Sequence, residues 1–254
     1  KSQLALDLPQ EAQSTLSKAV TLSPHVMNRQ QALGEVAMQN QDFHVAEKAL
    51  SEAANLSKFS VYNNPKLHAN LAKSLSANGK QAEALDVAGR ISATFENDPA
   101  ANFYANATEA QILQNQGDQE GANQALAQAE QIYRSLGRRV SSDASLELAQ
   151  TAASLGQADK AEEILRKMVL NNHDDEVLLS KATELFGEIG ISKNPRAFVH
   201  SLRQEVVSMN NQGVRLLALG KFTEAINLFT EAATSMTGNL VINLNAARAI
   251  VMKM

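Results

Sequence analysis

The feature that most constrains this chain is a three-residue pattern that recurs along it at nearly regular distances. Each copy has a small residue, then an apolar residue four positions later, then a small or apolar residue three positions further on. The copies are Ala12/Leu16/Ala19, Ala46/Leu50/Ala53, Ala84/Ala88/Ile91, Ala122/Leu126/Ala129, Ala161/Leu165/Met168 and Ala225/Phe229/Ala232. Spacings of four and three place the three side chains on one face of an α-helix. Successive copies begin 34, 38, 38, 39 and 64 residues apart, which predicts a helical repeat.

Small residues on both sides of each turn predict what the repeating unit is. A glycine stands five residues before four of the copies, where a helix must end and the chain must reverse, at Gly79, Gly117, Gly156 and Gly220. Before each turn another helical segment carries a small residue near its middle, at Gly34, Ala72, Ala110, Ala149 and Gly213. The unit is therefore predicted to be a helical hairpin with two closely packed backbones. The predicted fold class is all-α, an α-α superhelix of antiparallel helix pairs.

Two stretches of the chain carry a family resemblance. Residues 211–225, which read NQGVRLLALGKFTEA and continue to Phe229 and Ala232, resemble a tetratricopeptide repeat. Leu33-Gly34 with Phe43, Ala46, Leu50 and Ala53 is similar to the same repeat. The sequence departs from the family in having no Trp and in spacings that exceed its 34-residue period. The resemblance implies a solenoid whose first helices line a concave groove that holds a protein or peptide.

We interpret residues 1–254 as a single repeat array of about six helix pairs, with an irregular section at 176–219. There the pattern predicts a helix over 176–189 and one long helix from Pro195 to Leu219 that joins two repeats. Both ends of the sequence are predicted to cut through a repeat. Residues 1–6 resemble the tail of a first helix, and residues 240–254 resemble a first helix that is apolar nearly all round and needs cover.

Composition and charge exclude several classes of protein. A net charge of -4 and the lack of a Lys/Arg cluster argue against a nucleic-acid partner, and we expect the pair Arg138-Arg139 at a helix C-terminus. No apolar run reaches the roughly 20 residues that span a bilayer, and no signal peptide is visible, so we expect a cytoplasmic protein without a membrane partner. The absence of Cys excludes disulfides and Cys-based zinc sites.

The sequence predicts no catalytic, metal-binding or cofactor-binding site. No two histidines share the helical spacing of a metal site. The acidic run at 173–176 is better explained as an N-terminal helix cap than as a cation site. Gly187 and Gly190 are not followed by the Lys-Ser/Thr pair of a phosphate loop. We therefore expect a protein that is not an enzyme, although a dispersed Ser/His/Asp triad stays open at the level of sequence.

The resemblance also places the side chains that would face a groove. They are Asn28, Gln31, Glu35, Met38, Lys66, Lys73, Ser76, Tyr104, Gln111, Gln114, Asp143 and Gln150. The set is rich in amides, which suit recognition of a peptide backbone. Met38 draws attention because its helical phase is predicted to point away from the core. The alternative is that many of these residues are ordinary solvated positions.

Two functional hypotheses follow. The first is a bacterial-style interaction module that holds a peptide, a helix or a neighbouring domain. In a narrower form of it, the chain resembles the C-terminal repeat region of signalling regulators in which a receiver domain precedes such repeats. The second is a structural homodimer that pairs through terminal helices.

Overall fold

The computed structural model describes residues 8–60, 62–137, 141–172, 175–192 and 194–253. These ranges contain thirteen α-helices and no strand. The predicted all-α class is therefore confirmed for the described part of the chain. The helix predicted at residues 1–6 and the pair Arg138-Arg139 lie outside the described residues.

The chain divides into two compact units, Lys1–Gln157 and Ala158–Met254. The helices of unit 1 are α1 (Pro9–Leu22), α2 (Met27–Gln39), α3 (Phe43–Ser57), α4 (Pro65–Ala77), α5 (Gln81–Thr94), α6 (Ala101–Gln116), α7 (Gln119–Leu136) and α8 (Ser142–Ser154). Those of unit 2 are α9 (Ala158–Asn171), α10 (Glu176–Glu188), α11 (Pro195–Ala218), α12 (Phe222–Ser235) and α13 (Leu240–Lys253). The organisation of 1–254 as one continuous array stays a prediction.

The three-residue pattern forms the buried seam of the helix pairs. Every member of the last five copies is buried, whereas Leu16 and Ala19 of the first copy are half-buried. Gly34 on α2 faces Leu50 on α3 so closely that a Cβ added to the glycine would lie 2.4 Å from Leu50 Cγ. The close approach predicted for the two helices of a pair is confirmed, because only a residue without a side chain fits there.

Amide side chains tie two first helices of unit 1, α2 and α4, to the helix before each. Asn40, after α2, donates to the carbonyl oxygen of Pro9 at 3.1 Å. Asn78, after α4, donates to the carbonyl oxygen of Phe43 at 2.9 Å. Each bond joins the end of one helix to the start of its neighbour, so neighbouring helices in this part of unit 1 run antiparallel. Connections that enter first helices therefore lie at one edge of the unit, opposite the turns within the pairs.

The predicted glycine turns have the left-handed backbone that they require. Gly79, Gly117, Gly156 and Gly220 have φ values of 80°, 83°, 74° and 72°. The turn between α2 and α3 has no glycine. Gln41 takes the equivalent place, five residues before Ala46, with φ of 58°. A residue with a Cβ adopts this conformation at a cost, and the sequence pattern had not singled out Gln41.

Unit 2 contains the predicted long helix. Helix α11 begins at Pro195 behind the Asn194 cap, whose side chain accepts a bond from the Ala197 amide, and runs unbroken for 24 residues. It contacts α10, and it also forms a close pair with α12. Gly213 of α11 meets Phe229 of α12 as Gly34 meets Leu50, since an added Cβ would lie 2.6 Å from the Phe229 ring. Helix α11 is therefore shared by two hairpins, one with α10 and one with α12.

Two predictions about helix ends can be compared with the structure. Asp175 caps α10 by accepting a hydrogen bond from the Leu178 amide at 3.0 Å, as the capping interpretation requires. His173 and Asp174, from the same acidic run, lie outside the described residues. Helix α13 buries Ile242 and Ala249 but leaves Leu240, Val241, Leu244, Ile250, Val251 and Met252 exposed.

Candidate functional site

Three first helices of unit 1, α4, α6 and α8, carry most of the side chains predicted to face a groove. Helix α6 contacts both α4 and α8. Local sequence sets where each of the three begins or ends. Asn64 caps the start of α4 ahead of Pro65, Ser141 caps the start of α8, and Gly117 ends α6. Three first helices of unit 1 therefore lie side by side in the order α4, α6, α8.

A buried ion pair joins the outer two of these helices. Lys73 Nζ on α4 donates to both carboxylate oxygens of Glu147 on α8, at 3.0 and 2.8 Å. The two side chains are only 14% and 5% exposed. Two such charges are tolerated in so dry a place only when they are paired and hydrogen-bonded.

The middle helix completes this network. Gln111 Nε2 on α6 donates to Glu147 Oε1 at 3.0 Å and to Thr151 Oγ1 at 2.6 Å. The Thr151 hydroxyl in turn donates to the Glu147 carbonyl oxygen at 2.8 Å. Lys73, Gln111, Glu147 and Thr151, named here the Glu147 network, therefore join α4, α6 and α8 through one carboxylate.

Tyr104 lies buried on α6 near the same charges. Its ring packs edge-on against Phe103, with 5.2 Å between the centroids. Burial raises the pKa of the Tyr104 hydroxyl, and the negative charges of Glu147 and Asp143 raise it further. The phenol therefore stays protonated at neutral pH and can serve as a neutral hydrogen-bonding group.

A second ion pair lies nearer the surface. Lys66 Nζ on α4 is 2.7 Å from Asp143 Oδ1 on α8, with side chains 28% and 50% exposed. In a flat layer α4 and α8 would be separated by two helix spacings, about 16–20 Å between axes. Direct ion pairs across the intervening α6 require these three helices to curve, with their polar side inward. This surface, built by α4, α6 and α8, is the concave face of unit 1.

The other predicted residues of these helices differ in exposure. Ser76 is buried, donates to Gln81 Oε1 at 2.9 Å and accepts from Asn115 Nδ2 at 3.2 Å. Gln114 is half-buried, and its Oε1 atom is buried without a hydrogen-bond partner among the described residues. Gln150 is exposed. Gln114 and Gln150 are therefore the predicted amides of this face that the Glu147 network does not use.

The predicted residues of α2 are not part of the network. Asn28 is exposed, and Gln31 donates to Glu35 Oε1 on its own helix at 2.9 Å. Met38 is half-buried and packs against the core cluster that includes Ala37, Leu50 and Leu75. The expectation that Met38 points away from the core was wrong, because a long flexible side chain can fold back onto the neighbouring core.

Sequence reasoning missed Glu147 and Thr151. Glu147 lies between Leu146 and Leu148 in a stretch that is otherwise buried and apolar, and a carboxylate at such a position could have suggested a buried partner. The partner itself could not have been found, because Lys73 lies 74 residues earlier in the chain.

Other features of the described residues add no second site. They contain no cluster of three or more metal-ligating His, Asp or Glu side chains. A hollow of about 290 Å³ is lined by Gln204, Val207, Ser208, Asn211, Gln212 and Arg215, all from α11. None of the described helices combines the length and the apolar character that crossing a bilayer would need.

Comparisons with known proteins give the following similarities. No protein-family model matches the sequence, and no curated protein matches it. The chain is similar to the structure of YrrB, a TPR protein with an unusual peptide-binding site, at 20% identity and a TM-score of 0.38, over 70% of this chain and 85% of that one. It is similar to a tetratricopeptide repeat protein from Parabacteroides merdae at 15% identity and a TM-score of 0.38, over 98% and 95%. The APC/C hetero-tetramer Cut9–Hcn1 is similar at 14% identity and a TM-score of 0.43, over 97% of this chain and 40% of that one.

The helix pairs can be compared with the predicted repeat. In two pairs, α2–α3 and α11–α12, a glycine of the first helix is set against a seam residue of the second. These are antiparallel helix pairs of the kind that the resemblance to tetratricopeptide repeats implies. Of the side chains predicted to face a groove, Lys73 and Gln111 bond Glu147, and Lys66 pairs with Asp143.

Proposed function

We propose that this chain is a protein-interaction scaffold that holds a peptide, a helix or a neighbouring domain against the concave face of unit 1. The observation that carries the proposal is the polar surface of α4, α6 and α8, on which the Gln114 side chain is half-buried and the Gln150 side chain is exposed. Gln114 follows Gln111 by three residues, so both side chains lie on the same side of α6. An amide side chain at such a position can both donate to and accept from the backbone of a bound peptide.

The Glu147 network supports the same proposal by making the floor of this face rigid. Its charged groups bond one another within three helices. A surface that is ordered before binding loses less conformational entropy when a partner docks. Gln150, exposed on α8, extends the face with an amide that can both donate and accept.

Site-specific photo-crosslinking tests this proposal. A photoreactive amino acid is placed at Gln114 or Gln150 on the concave face and, as a matched control, at the exposed Lys48 on the second helix α3. We expect the two concave positions to label the same protein in a lysate of the source cells, and Lys48 to label it much less. Equal labelling from all three positions would contradict the assignment of the face.

A narrower form of the proposal makes the chain the repeat region of a cytoplasmic bacterial signalling regulator. It is supported by the resemblance of residues 211–225 to the repeats of such proteins. It predicts that the complete gene encodes a receiver domain before this region. A gene that encodes only further helices there would remove this form and leave the scaffold proposal intact.

A second candidate function is self-assembly through α13. Leu240, Val241, Leu244 and Val251 on this helix are between 59% and 71% exposed. Burying each such side chain in a dimer would contribute about 1 kcal/mol or more. Light scattering should then give a dimer mass that returns to the monomer mass in Leu244→Lys/Val251→Lys. A monomer at all concentrations would exclude this candidate.

A further inference from the structure

Exposed apolar side chains of unit 1 are concentrated at the edge where the chain enters its first helices. Five large hydrophobic side chains are exposed among the described residues of this unit: Leu8, Leu22, Val26, Phe59 and Tyr62. Val26 belongs to the connection between α1 and α2, Phe59 and Tyr62 belong to the connection between α3 and α4, and Leu22 is the last residue of α1. Both connections lie at the same edge, because the helices that they join run antiparallel.

Phe59 is fully exposed to solvent, and Tyr62 is mostly exposed. The Phe59 side chain is 103% exposed and Tyr62 is 60% exposed. On the other connection Leu22 is 83% exposed and Val26 41%. Groups of large apolar side chains at the surface mark interaction sites more often than scattered single ones do.

Hydrogen bonds hold the aromatic connection in shape. Ser57 Oγ donates to Asn63 Oδ1 at 3.0 Å, and His68 Nε2 lies 2.9 Å from the same oxygen. The Ser60 amide donates to the Ser57 carbonyl oxygen at 2.7 Å, and Asn64 Nδ2 donates to the Tyr62 carbonyl oxygen at 2.9 Å. Phe59 therefore projects from a connection whose described residues are hydrogen-bonded to one another.

Three exposed cations lie near the two connections. Lys18, Arg29 and Lys58 are within about one helical turn of them. None of the three is in a salt bridge among the described residues, although Arg29 Nη1 donates to the Ala19 carbonyl oxygen at 3.3 Å. The segments 12–34 and 53–82 contain no Asp or Glu, although the whole chain carries a net charge of -4. We name the four apolar side chains and these three cations the edge patch.

The next connection at this edge limits the patch. Between α5 and α6 the chain carries Glu96 and Asp98 instead of cations. Its aromatic residue, Phe95, is half-buried with its ring edge-on against His68, 5.2 Å between centroids. Among the first three connections at this edge, the combination of exposed apolar side chains with exposed cations is thus a property of the first two.

We propose that the edge patch docks unit 1 onto an anionic lipid surface. Cations near anionic headgroups are attracted to them, and aromatic and aliphatic tips insert at the boundary between headgroups and acyl chains. The patch is convex, because its tips stand out from the ends of helices. A bilayer interface accepts projecting tips in any arrangement, whereas a protein partner would have to provide a pocket for each, so the shape favours lipid. The proposal is independent of what occupies the concave face.

Co-sedimentation with vesicles tests the proposal. The 254-residue chain is mixed with phosphatidylcholine vesicles and with vesicles that contain about 30% phosphatidylserine, at low and physiological salt. We expect binding to the anionic vesicles that weakens as salt is raised, and little binding to phosphatidylcholine alone. Wild-type protein that stays in solution with both vesicle types would overturn the proposal.

Three variants separate the parts of the mechanism. Lys18→Glu/Lys58→Glu should weaken binding to anionic vesicles by more than about tenfold, since each cation near such a surface contributes about fivefold. Phe59→Ser should weaken it by about tenfold through loss of the inserted ring. Lys48→Glu makes the same type of charge change on α3 outside the patch and should alter binding less than twofold, with circular dichroism checking that all variants fold. A loss in Lys48→Glu as large as that in the patch variants would also overturn the proposal.

Discussion

The two units have the same kind of hairpin seam, but the outward faces of their first helices carry different side chains. Gly34 meets Leu50 in unit 1 as Gly213 meets Phe229 in unit 2, and in each pair an added Cβ would clash. In unit 1 the first helices α4, α6 and α8 are then joined by buried charge. In unit 2 the last helix, α13, leaves a row of aliphatic side chains exposed.

This difference teaches that the seam and the face obey different constraints. The seam needs small residues at fixed spacing, which any hairpin of this type must supply. The face can carry any side chains that suit their surroundings. In unit 1 these form a charged network, and on α13 they form an apolar stripe. Function in such arrays therefore depends on the faces.

The largest effect that we expect comes from removing Glu147, the buried carboxylate of unit 1. The exposed face of α13 has no counterpart of it. Glu147→Ala would leave Lys73 as a nearly buried cation without its partner and would free the Gln111 amide. We expect the free energy of unfolding to fall by about 3 kcal/mol. Chemical denaturation measures the loss, and hydrogen exchange should rise in α4, α6 and α8.

A matched variant from unit 2 provides the control. Glu163 on α9 pairs with Lys167 one turn later at 2.6 Å, but both side chains are about two-thirds exposed, at 67% and 70%. Glu163→Ala should therefore cost no more than about 0.5 kcal/mol. Similar losses from both variants would mean that the Glu147 network contributes little beyond a surface pair.

The next effect tests whether the two seams are equivalent. Gly34→Ala and Gly213→Ala each insert a methyl group against a packed side chain, so we expect each to destabilise the protein by about 1–3 kcal/mol. Gly89, within α5, has open space around its Cα, and Gly89→Ala should instead stabilise by up to about 1 kcal/mol. Thermal denaturation ranks the three variants, and a neutral result at Gly34 or Gly213 would show that the helices can separate at no cost.

Much of the fold could be predicted because its determinants are local. The seam residues, the turn glycines and the long helix from Pro195 follow from spacing and from preferences of single residues. The Asp175 cap follows from its position before α10. These features depend on neighbours a few residues away, which a single sequence contains.

The candidate site could be predicted only in part. Lys66, Lys73, Tyr104, Gln111 and Asp143 are predicted to share one face. In the structure Lys73 and Gln111 bond Glu147, and Lys66 pairs with Asp143. Glu147 itself, and the fact that the charges pair across α6, depend on the curvature of three helices. That curvature arises from packing over 74 residues of chain, which spacing alone does not specify.

A smaller effect distinguishes the turns of the two units. The α11–α12 turn in unit 2 has Gly220 with φ of 72°, whereas the α2–α3 turn in unit 1 places Gln41 at 58°. Gln41→Gly should stabilise by up to about 1 kcal/mol, because relief of left-handed strain outweighs the greater freedom of the unfolded glycine chain. Gly220→Ala is the reciprocal change and should destabilise by a similar amount. A shift of the denaturation midpoint in the opposite direction for Gln41→Gly would contradict the strain at this turn.

The smallest effect that we expect is a pH dependence within unit 1, at the base of the aromatic connection. His68 lies half-buried against Phe95, and burial lowers its pKa from the ordinary value of 6.5 because the dry site disfavours the imidazolium ion. The unfolded chain then binds this proton more readily than the folded chain. The contribution of His68 to stability is thus complete above pH 6.5 and is lost as pH falls through 6.5 towards the lowered pKa.

His68→Gln isolates this dependence, because an amide can still donate to Asn63 Oδ1 but does not titrate over this range. Denaturation curves measured at several pH values between about 5 and 7.5 should show a shallower acid-side decline in the variant than in the wild type. The control is His44→Gln, at an exposed position near the start of α3. A parallel loss of stability in wild type and His68→Gln as the pH falls would contradict this expectation. That result would show that the decline arises from other groups and that burial of His68 does not contribute to the acid sensitivity of unit 1.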